Sequence, residues 1–410
     1  MSDQKTVERL PAKEWLKQIT EGATEAAWEA KRRGEKIGWS ASNFPQEIPT
    51  SMGIHVVFPE NHGAAVGAKG GALPMCEHAE SMGYSQDLCS YSRINFAYAD
   101  LKSCPEMDIP QPDFLICCNN ICNCLMKWFE NLAETLGIPM ILIDIPHLDG
   151  FVCDEDRIKY IRAQFDDCIK KLEEITGKTF SEEKLKEVMA ISQRSSRAWL
   201  KAVDYAKNSP SPYSGFDIFN NMAVACVARG TLEGAEAFEQ LAEEYEENVK
   251  NGASTFKGEE KYRVMFEGIA CWANLKSTFK ILKDKGINVT ATVYGPAFSF
   301  LYSNMDELMA AYAYVPNSNC LDREVELRVS EAVKNKVEGA VIHMNRSCKH
   351  WSGNLYEMER RIRGQAGIPT VMFDGDQADP RVFSEAQYET RIDALIEIME
   401  ENRRGGERRV

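Results

Sequence analysis

The chain has 410 residues, more than one ordinary hydrophobic core organises, so two or three domains are expected. Its 62 acidic residues against 48 basic ones give a net charge of −14, which argues against nucleic acid as a partner, and no run of about 18 apolar residues exists to make a helical membrane span. Thirteen cysteines behind a polar, charged start, "MSDQKTVERL", predict a cytoplasmic protein without a signal peptide, whose thiols stay free or bind metal.

From the N-terminus, "IGWS" (Ile37 to Ser40) reads as a short strand and "NFPQEIPTSM" after it as a helix holding prolines. A repeat then begins. "GIHVVFPE" (Gly53 to Glu60), "GIPMILID" (Gly137 to Asp144) and "GIPTVMFD" (Gly367 to Asp374) each open on Gly-Ile, continue as an apolar run and close on an acid at the same offset. "GINVTATVY" from Gly286 repeats the opening without the acid. A glycine just past a helix, followed by a β-rich apolar run, is a helix C-cap feeding a buried strand. Ahead of two copies, Leu125, Trp128, Leu132 and Leu136, and again Trp351, Leu355, Met358 and Ile362, recur at helical spacing. Ahead of those helices stand further apolar runs, "DFLICC" (Asp113 to Cys118) and "GAVIHM" (Gly339 to Met344). Strand, polar turn, helix, Gly-Ile, strand is a βαβ unit with parallel strands.

The stretch from 166 to 255 is helical by periodicity and by its i,i+4 charge pairs, with "NSPSPYSGFD" (Asn208 to Asp217) as punctuation. The expected architecture is therefore α/β: two doubly wound, Rossmann-like (flavodoxin-like) parallel-sheet domains, 1–165 and 256–410, flanking a helical segment, 166–255. The tail "ENRRGGERRV" is expected to fray.

In such sheets ligands sit beyond the C-terminal strand ends. Cys117 and Cys118 lie in an apolar run and should face the core, whereas Cys122 falls in the Asn-bearing turn after it. Cys348 occupies the matching place in "MNRSCKH". Cys89, in "GYSQDLCSYSR", follows Ser85, a candidate N-cap, so helix amides would favour its thiolate. Three such thiolates could hold an iron–sulfur cluster with one iron left open; equally, free cysteine is often buried as a small apolar residue. Ser40 and Ser42 in "GWSASNFPQE" are candidate donors, and Glu60 in "FPEN" is a candidate base or simply a capping carboxylate. "HGAAVGAKGGA" (His62 to Ala72) offers a weak phosphate-cradle signal. "FDGDQADPR" (Phe373 to Arg381) offers acids for magnesium or, more simply, for capping and a salt bridge to Arg381.

Taken together, "GWSASNFPQE", "FPEN", "DLCSYSR", "CCNNICN", "MNRSCK" and "FDGDQADPR", in this order and spacing, resemble the 2-hydroxyacyl-CoA dehydratases of anaerobic amino-acid fermentation, relatives of the benzoyl-CoA reductase subunits. The resemblance covers nearly the whole chain and is strongest to the cluster- and substrate-bearing subunit of a heterodimer. It implies a 4Fe-4S cluster held by Cys89, Cys122 and Cys348 with one open iron, and a packing role for Cys124. It also implies Ser42 near the substrate hydroxyl and Glu60 as base. Partners implied are a second homologous subunit, a 2-hydroxyacyl-CoA of the aryl-lactyl kind, and a separate ATP-hydrolysing iron–sulfur activator that supplies an electron for a ketyl-radical elimination. Where the family commonly has Cys-Trp-Pro, this chain reads Cys271-Trp272-Ala273. An acyl-CoA reductase and a cluster-free two-lobed binding module are the alternatives.

Overall fold

The computed structural model describes residues 9–407, so most of the charged N-terminal stretch and the last three residues lie outside the described residues. Eight strands form two separate four-stranded, all-parallel sheets. The first contains β1 (Gly38–Ser40), β2 (Val56–Val57), β3 (Phe114–Cys118) and β4 (Met140–Ile143), in the order β2-β1-β3-β4. The second contains β5 (Tyr262–Glu267), β6 (Ile287–Ala291), β7 (Gly339–Asn345) and β8 (Thr370–Gly375), in the order β6-β5-β7-β8. The expected α/β class with two parallel, flavodoxin-like sheets is thus present. In both sheets the chain direction of the crossovers reverses between the first and third strands, which opens a crevice at their C-terminal ends.

The glycines of the Gly-Ile repeat do what the repeat required. Gly53, Gly137, Gly286 and Gly367 all have positive φ, between 64° and 74°, and each turns the chain from a helix into the next strand. The residues of β3 and β5 are all buried, as expected of central parallel strands covered on both faces. Strand β5 carries no Gly-Ile signal ahead of it, follows the charged "KGEEK" and itself contains Arg263 and Glu267, yet it lies at the centre of the second sheet.

Two details differ from the sequence expectation. The helix ahead of Gly367 is broken into Lys349–Gly353 and Leu355–Ala366, because Gly353 and Asn354 interrupt it. The C-terminal helix runs from Glu385 to Glu407, through the Gly-Gly pair expected to fray.

Packing interleaves the chain's segments. In the helix Ala12–Arg32, Ala12, Leu16 and Ile19 join the core of the second sheet, whereas Ala27 and Ala30 join that of the first. Phe300, Tyr302, Leu308, Met309 and Tyr312, although they follow β6, are buried in the first core. The long helices Glu182–Asp204 and Leu232–Asn251, capped by Ser181 and Thr231, pack on each other between the sheets. No described helix is long and apolar enough to cross a membrane.

Candidate functional site

Each member of the cysteine trio is the N-cap residue of a helix. Cys89 precedes Ser90–Leu101, Cys122 precedes Asn123–Leu136, and Cys348 precedes Lys349–Gly353. For Cys122 the cap is made by sulfur itself, which accepts the Leu125 N–H at 3.3 Å. Cys348 sulfur is approached by the Trp351 and His350 amides. Helix amides therefore point at these sulfurs and stabilise negative charge on them. Ser85 caps nothing here; its Oγ accepts the Asp87 N–H in the preceding turn. Cys89 is the cap because the backbone leaves it in an extended conformation, with φ −46° and ψ 127°.

The turns that carry the three thiols adjoin. The Ser90 amide donates to Ser347 Oγ at 3.2 Å and Gln377 Nε2 to Cys89 Sγ at 2.7 Å, and Cys122 and Cys348 lie within electrostatic reach of Cys89, so turns from both sheets face one place. All three are partly accessible, yet burial raises the thiols of Cys122 and Cys348, the latter to about 11. That combination is expected of groups lining an internal recess. Cys117 and Cys118 are fully buried in the first core, as expected. Cys124, expected to pack, is half-buried rather than fully buried, and its thiol and that of Cys89 act on one another. Sequence gave no sign of this, because Cys124 is the second residue of a helix whose rotation only the tertiary structure fixes.

Ser42 and Glu60 are brought together as well. Ser42 follows β1 in the crevice, and Glu60 lies in the first turn of the helix Pro59–Ala68. The Ser42 amide donates to Glu60 Oε2 at 2.6 Å, and Ser42 Oγ stands 3.4 Å from Asn61 Oδ1. Burial raises the Glu60 carboxyl above its usual range, opposed in part by the bonds from Ser42. A carboxylic group moved toward neutrality beside a fixed hydroxyl can both give and take a proton at working pH. Ser40 is turned away and accepts the Gln46 amide at 2.8 Å.

The first part of the glycine-rich stretch after Glu60 belongs to the helix Pro59–Ala68, and Gly70 and Gly71 form the turn into the helix Ala72–Ser81. The two glycines inside the first helix allow close packing: a Cβ on Gly63 would stand 2.8 Å from the Tyr91 ring, and one on Gly67 3.1 Å from Ala378. Gly67 thereby lets the Glu60 helix rest against Trp272 and Ala378 of the second sheet's loops. Trp272, in the Cys271-Trp272-Ala273 departure, donates its indole N–H to the Tyr91 hydroxyl. Tyr294 stands by the same phenol and within the influence of Glu60 and Cys348. Trp272, Tyr294 and Phe298 are each only half-buried, an aromatic wall beside the polar groups.

The acids of "FDGDQADPR" are already engaged. Asp376 accepts the amides of Ala378, Asp379 and Ser347, and Asp379 accepts Arg93 at 2.9 Å and the Arg381 side chain at 2.9 Å. These are the caps and salt bridge that the simpler reading expected. Among the described residues no three His, Cys, Asp or Glu side chains stand close enough to hold a single metal ion.

With this geometry in hand, relatives are informative. The family profile described as 2-hydroxyglutaryl-CoA dehydratase, D-component, matches residues 41–399. The (R)-phenyllactyl-CoA dehydratase alpha subunit of Clostridium sporogenes is 59% identical over 400 residues, covering 97% of this chain and 98% of that one. The (R)-2-hydroxyisocaproyl-CoA dehydratase alpha subunit of Clostridioides difficile is 48% identical, covering 92% and 93%. The (R)-2-hydroxyglutaryl-CoA dehydratase alpha subunit of Acidaminococcus fermentans is 41% identical, covering 96% and 98%. The chain belongs to the 2-hydroxyglutaryl-CoA dehydratase D-component family, whose named members are dehydratases of 2-hydroxyacyl-CoA thioesters.

Proposed function

We propose that this chain is the catalytic subunit of an (R)-2-hydroxyacyl-CoA dehydratase, a hydro-lyase, acting on an aryl-lactyl thioester such as phenyllactyl-CoA and releasing the 2-enoyl-CoA. The observation that carries the reading is the convergence of three helix-capping cysteines with the Ser42–Glu60 pair at the facing edges of two parallel sheets. The aryl choice rests on the half-buried Trp272, Tyr294 and Phe298 and on the 59% identity to a phenyllactyl enzyme.

The donor set fits an iron–sulfur cluster. Three desolvated thiols that oppose one another's ionisation are stable together as thiolates only around a cation, and helix amides complement an anionic assembly. Ser90 Oγ, buried next to Cys89, has no protein partner and is free to donate toward such a group. A cluster's ligands bind different irons, so they stand farther apart than those of a single ion. Cys89, Cys122 and Cys348 would hold a 4Fe-4S cluster, which when bound supplies an iron without a protein ligand as Lewis acid and a one-electron couple.

The remaining work belongs to protein groups. A 2-hydroxyacyl thioester resists elimination because its β-hydrogen is not acidic; one added electron makes the thioester a ketyl that expels the adjacent hydroxyl, the resulting radical has an acidic β-proton, and the radical anion left when that proton goes gives the electron back as the neutral enoyl thioester forms. Ser42 Oγ orients the hydroxyl that leaves. Glu60, when protonated, gives that hydroxyl its proton; as carboxylate it then takes the β-proton, and its raised pKa suits both steps. Trp272 and the phenols of Tyr91 and Tyr294 exclude water from the recess.

Relatives named as alpha subunits imply a second subunit. We further assign to the complex a separate ATP-hydrolysing activator as electron source, and an anaerobic cytoplasm as the setting for 13 unpaired cysteines. The deciding measurement is anaerobic iron and acid-labile sulfide, with activator-dependent dehydration of phenyllactyl-CoA, on the wild type and Cys122→Ala. About four irons per chain, lost in the variant together with turnover, is expected. An iron-free wild type, or net reduction of the thioester without loss of water, would overturn the reading.

A further inference from the structure

Gln377 lies two residues past β8, is 1% exposed, and points its side-chain Nε2 at Cys89 Sγ from 2.7 Å. Both ends of its amide are engaged. Its Oε1 accepts from Nδ2 of Asn345, itself fully buried at the end of β7. The amide spans the two side chains, its oxygen toward Asn345 and its N–H toward sulfur. The backbone is fixed too. The Gln377 carbonyl accepts the Trp272 amide at 2.9 Å, and the neighbouring Asp376 carboxylate holds three amides of the same loop cluster. A buried, doubly anchored amide aimed at a single sulfur does more than fill space.

We infer that Gln377 is a positioning residue for the Cys89 sulfur: its N–H, aimed by Asn345, favours the more negative redox state of the iron–sulfur group bound there and so sets that group's potential upward. The inference rests on the cluster reading above and deepens it. Hydrogen bonds to cluster sulfurs raise reduction potentials because each added electron increases negative charge on sulfur, which the donor stabilises. The donor comes from the second sheet and the sulfur from the first, so the potential depends on the seating of the two halves against each other. Nothing in the sequence around Gln377 signals this role, since its target is 288 residues away.

The test is an anaerobic redox titration followed by electron paramagnetic resonance, on the assembled holoprotein, for wild type, Gln377→Leu, Gln377→Met and Asn345→Ala. Expected is an unchanged iron content with a lower midpoint potential in both Gln377 variants, about a tenfold shift of the one-electron equilibrium, or about 59 mV. Asn345→Ala should shift the potential the same way by less, because the donor survives but loses its aim. An unchanged potential with intact iron would overturn the inference while leaving the cluster standing. Loss of iron from both Gln377 variants would make the residue a structural support and also overturn it. An iron-free wild type would instead remove the function reading, and the inference with it.

Discussion

Asn119 and Asn345 stand three residues before Cys122 and Cys348, the first just past and the second at the end of the third strand of its sheet. Each clamps the segment after the fourth strand. Asn119 donates to Asp144 and accepts the Ile145 amide, while Asn345 donates to Gln377. Five residues before the cysteines the sheets part company: Cys117 occupies the register in the first and His343 in the second. They differ again at the crevice. The first sheet presents Ser42 and Glu60 there, whereas loops of the second present Trp272, Tyr294 and Gln377. One wiring diagram presents different groups on its two sides, a hydroxyl and a carboxyl on one and aromatic rings with a buried amide on the other. The difference shows that strand order delivers positions, and that loop residues decide what happens at them.

The division is broken most severely at Glu60. If acid–base work belongs to the first sheet alone, Glu60→Gln keeps the Ser42 amide bond and the irons but lowers kcat by about 10²–10⁴-fold. Steady-state kinetics beside an iron count would reveal this. A variant retaining near-normal turnover would move the proton chemistry elsewhere.

Next in size is the charge cluster that joins the halves. Arg93 is 1% exposed and pairs with Glu80 at 2.7 Å and Asp379 at 2.9 Å, one from each half. Arg93→Met leaves Asp379 with Arg381 alone, and a loss of about 3 kcal/mol of unfolding free energy in urea is expected. Burial by itself would raise the Asp379 carboxyl, but hydrogen bonds from Arg381 and Arg93 hold it down to about 2. Its contribution is therefore complete above the usual 3.8 and is lost as pH falls toward 2.

A smaller effect comes from the contact between the Glu60 helix and the second sheet's loops. Gly67→Val adds a side chain where even a Cβ would stand 3.1 Å from Ala378. Overpacking of about 1–3 kcal/mol is expected, with a fall in turnover from displacement of Glu60. At Gly364, where a Cβ meets nothing within 4 Å, alanine should cost nothing. Equal behaviour of the two variants in thermal unfolding would remove the argument that Gly67 seats the halves.

What sequence made legible follows the range of the forces involved. The Gly-Ile repeat was readable because a left-handed glycine and a buried parallel strand are both local requirements. The cysteine trio and the Ser42–Glu60 pair were placed at the strand edges by the same βαβ logic, joined to family motifs. Strand β5 escaped because no Gly-Ile pair announces it, "KGEEK" precedes it, and Arg263 and Glu267 interrupt its apolar run. The glycines of "HGAAVGAKGGA" suggested a phosphate loop, yet two of them, Gly63 and Gly67, make close contact with Tyr91, Ala378 and Trp272, none of them near in sequence. Arg93 and Gln377 were silent for the same reason: their partners Asp379 and Cys89 are brought to them only by the packing of the two halves.

The finest test of the comparison is the register shared by Cys117 and His343. Burial raises the Cys117 thiol, so that position stays neutral at and below neutral pH. His343 is buried, stacks on Phe373 with ring centroids 4.9 Å apart, and donates from Nδ1 to the Ile269 carbonyl. Its Nε2 makes no hydrogen bond among the described residues, and a Cβ on Gly375 would stand 2.5 Å from that atom, so an added proton would find little room. Burial accordingly lowers its pKa below 6.5. With the folded value depressed, the neutral imidazole's contribution is complete above about 6.5, where both states are unprotonated. Below that, the unfolded chain binds a proton that the native chain refuses, so stability falls as pH falls until the folded pKa is passed. The acid-linked loss of Tm between pH 7 and 5 should therefore be smaller in His343→Phe than in wild type, whereas Cys117→Ala should lower Tm by the same amount at both pH values. A His343→Phe profile parallel to wild type would show that the imidazole carries no charge penalty, and the acid response would then have to come from elsewhere in the fold.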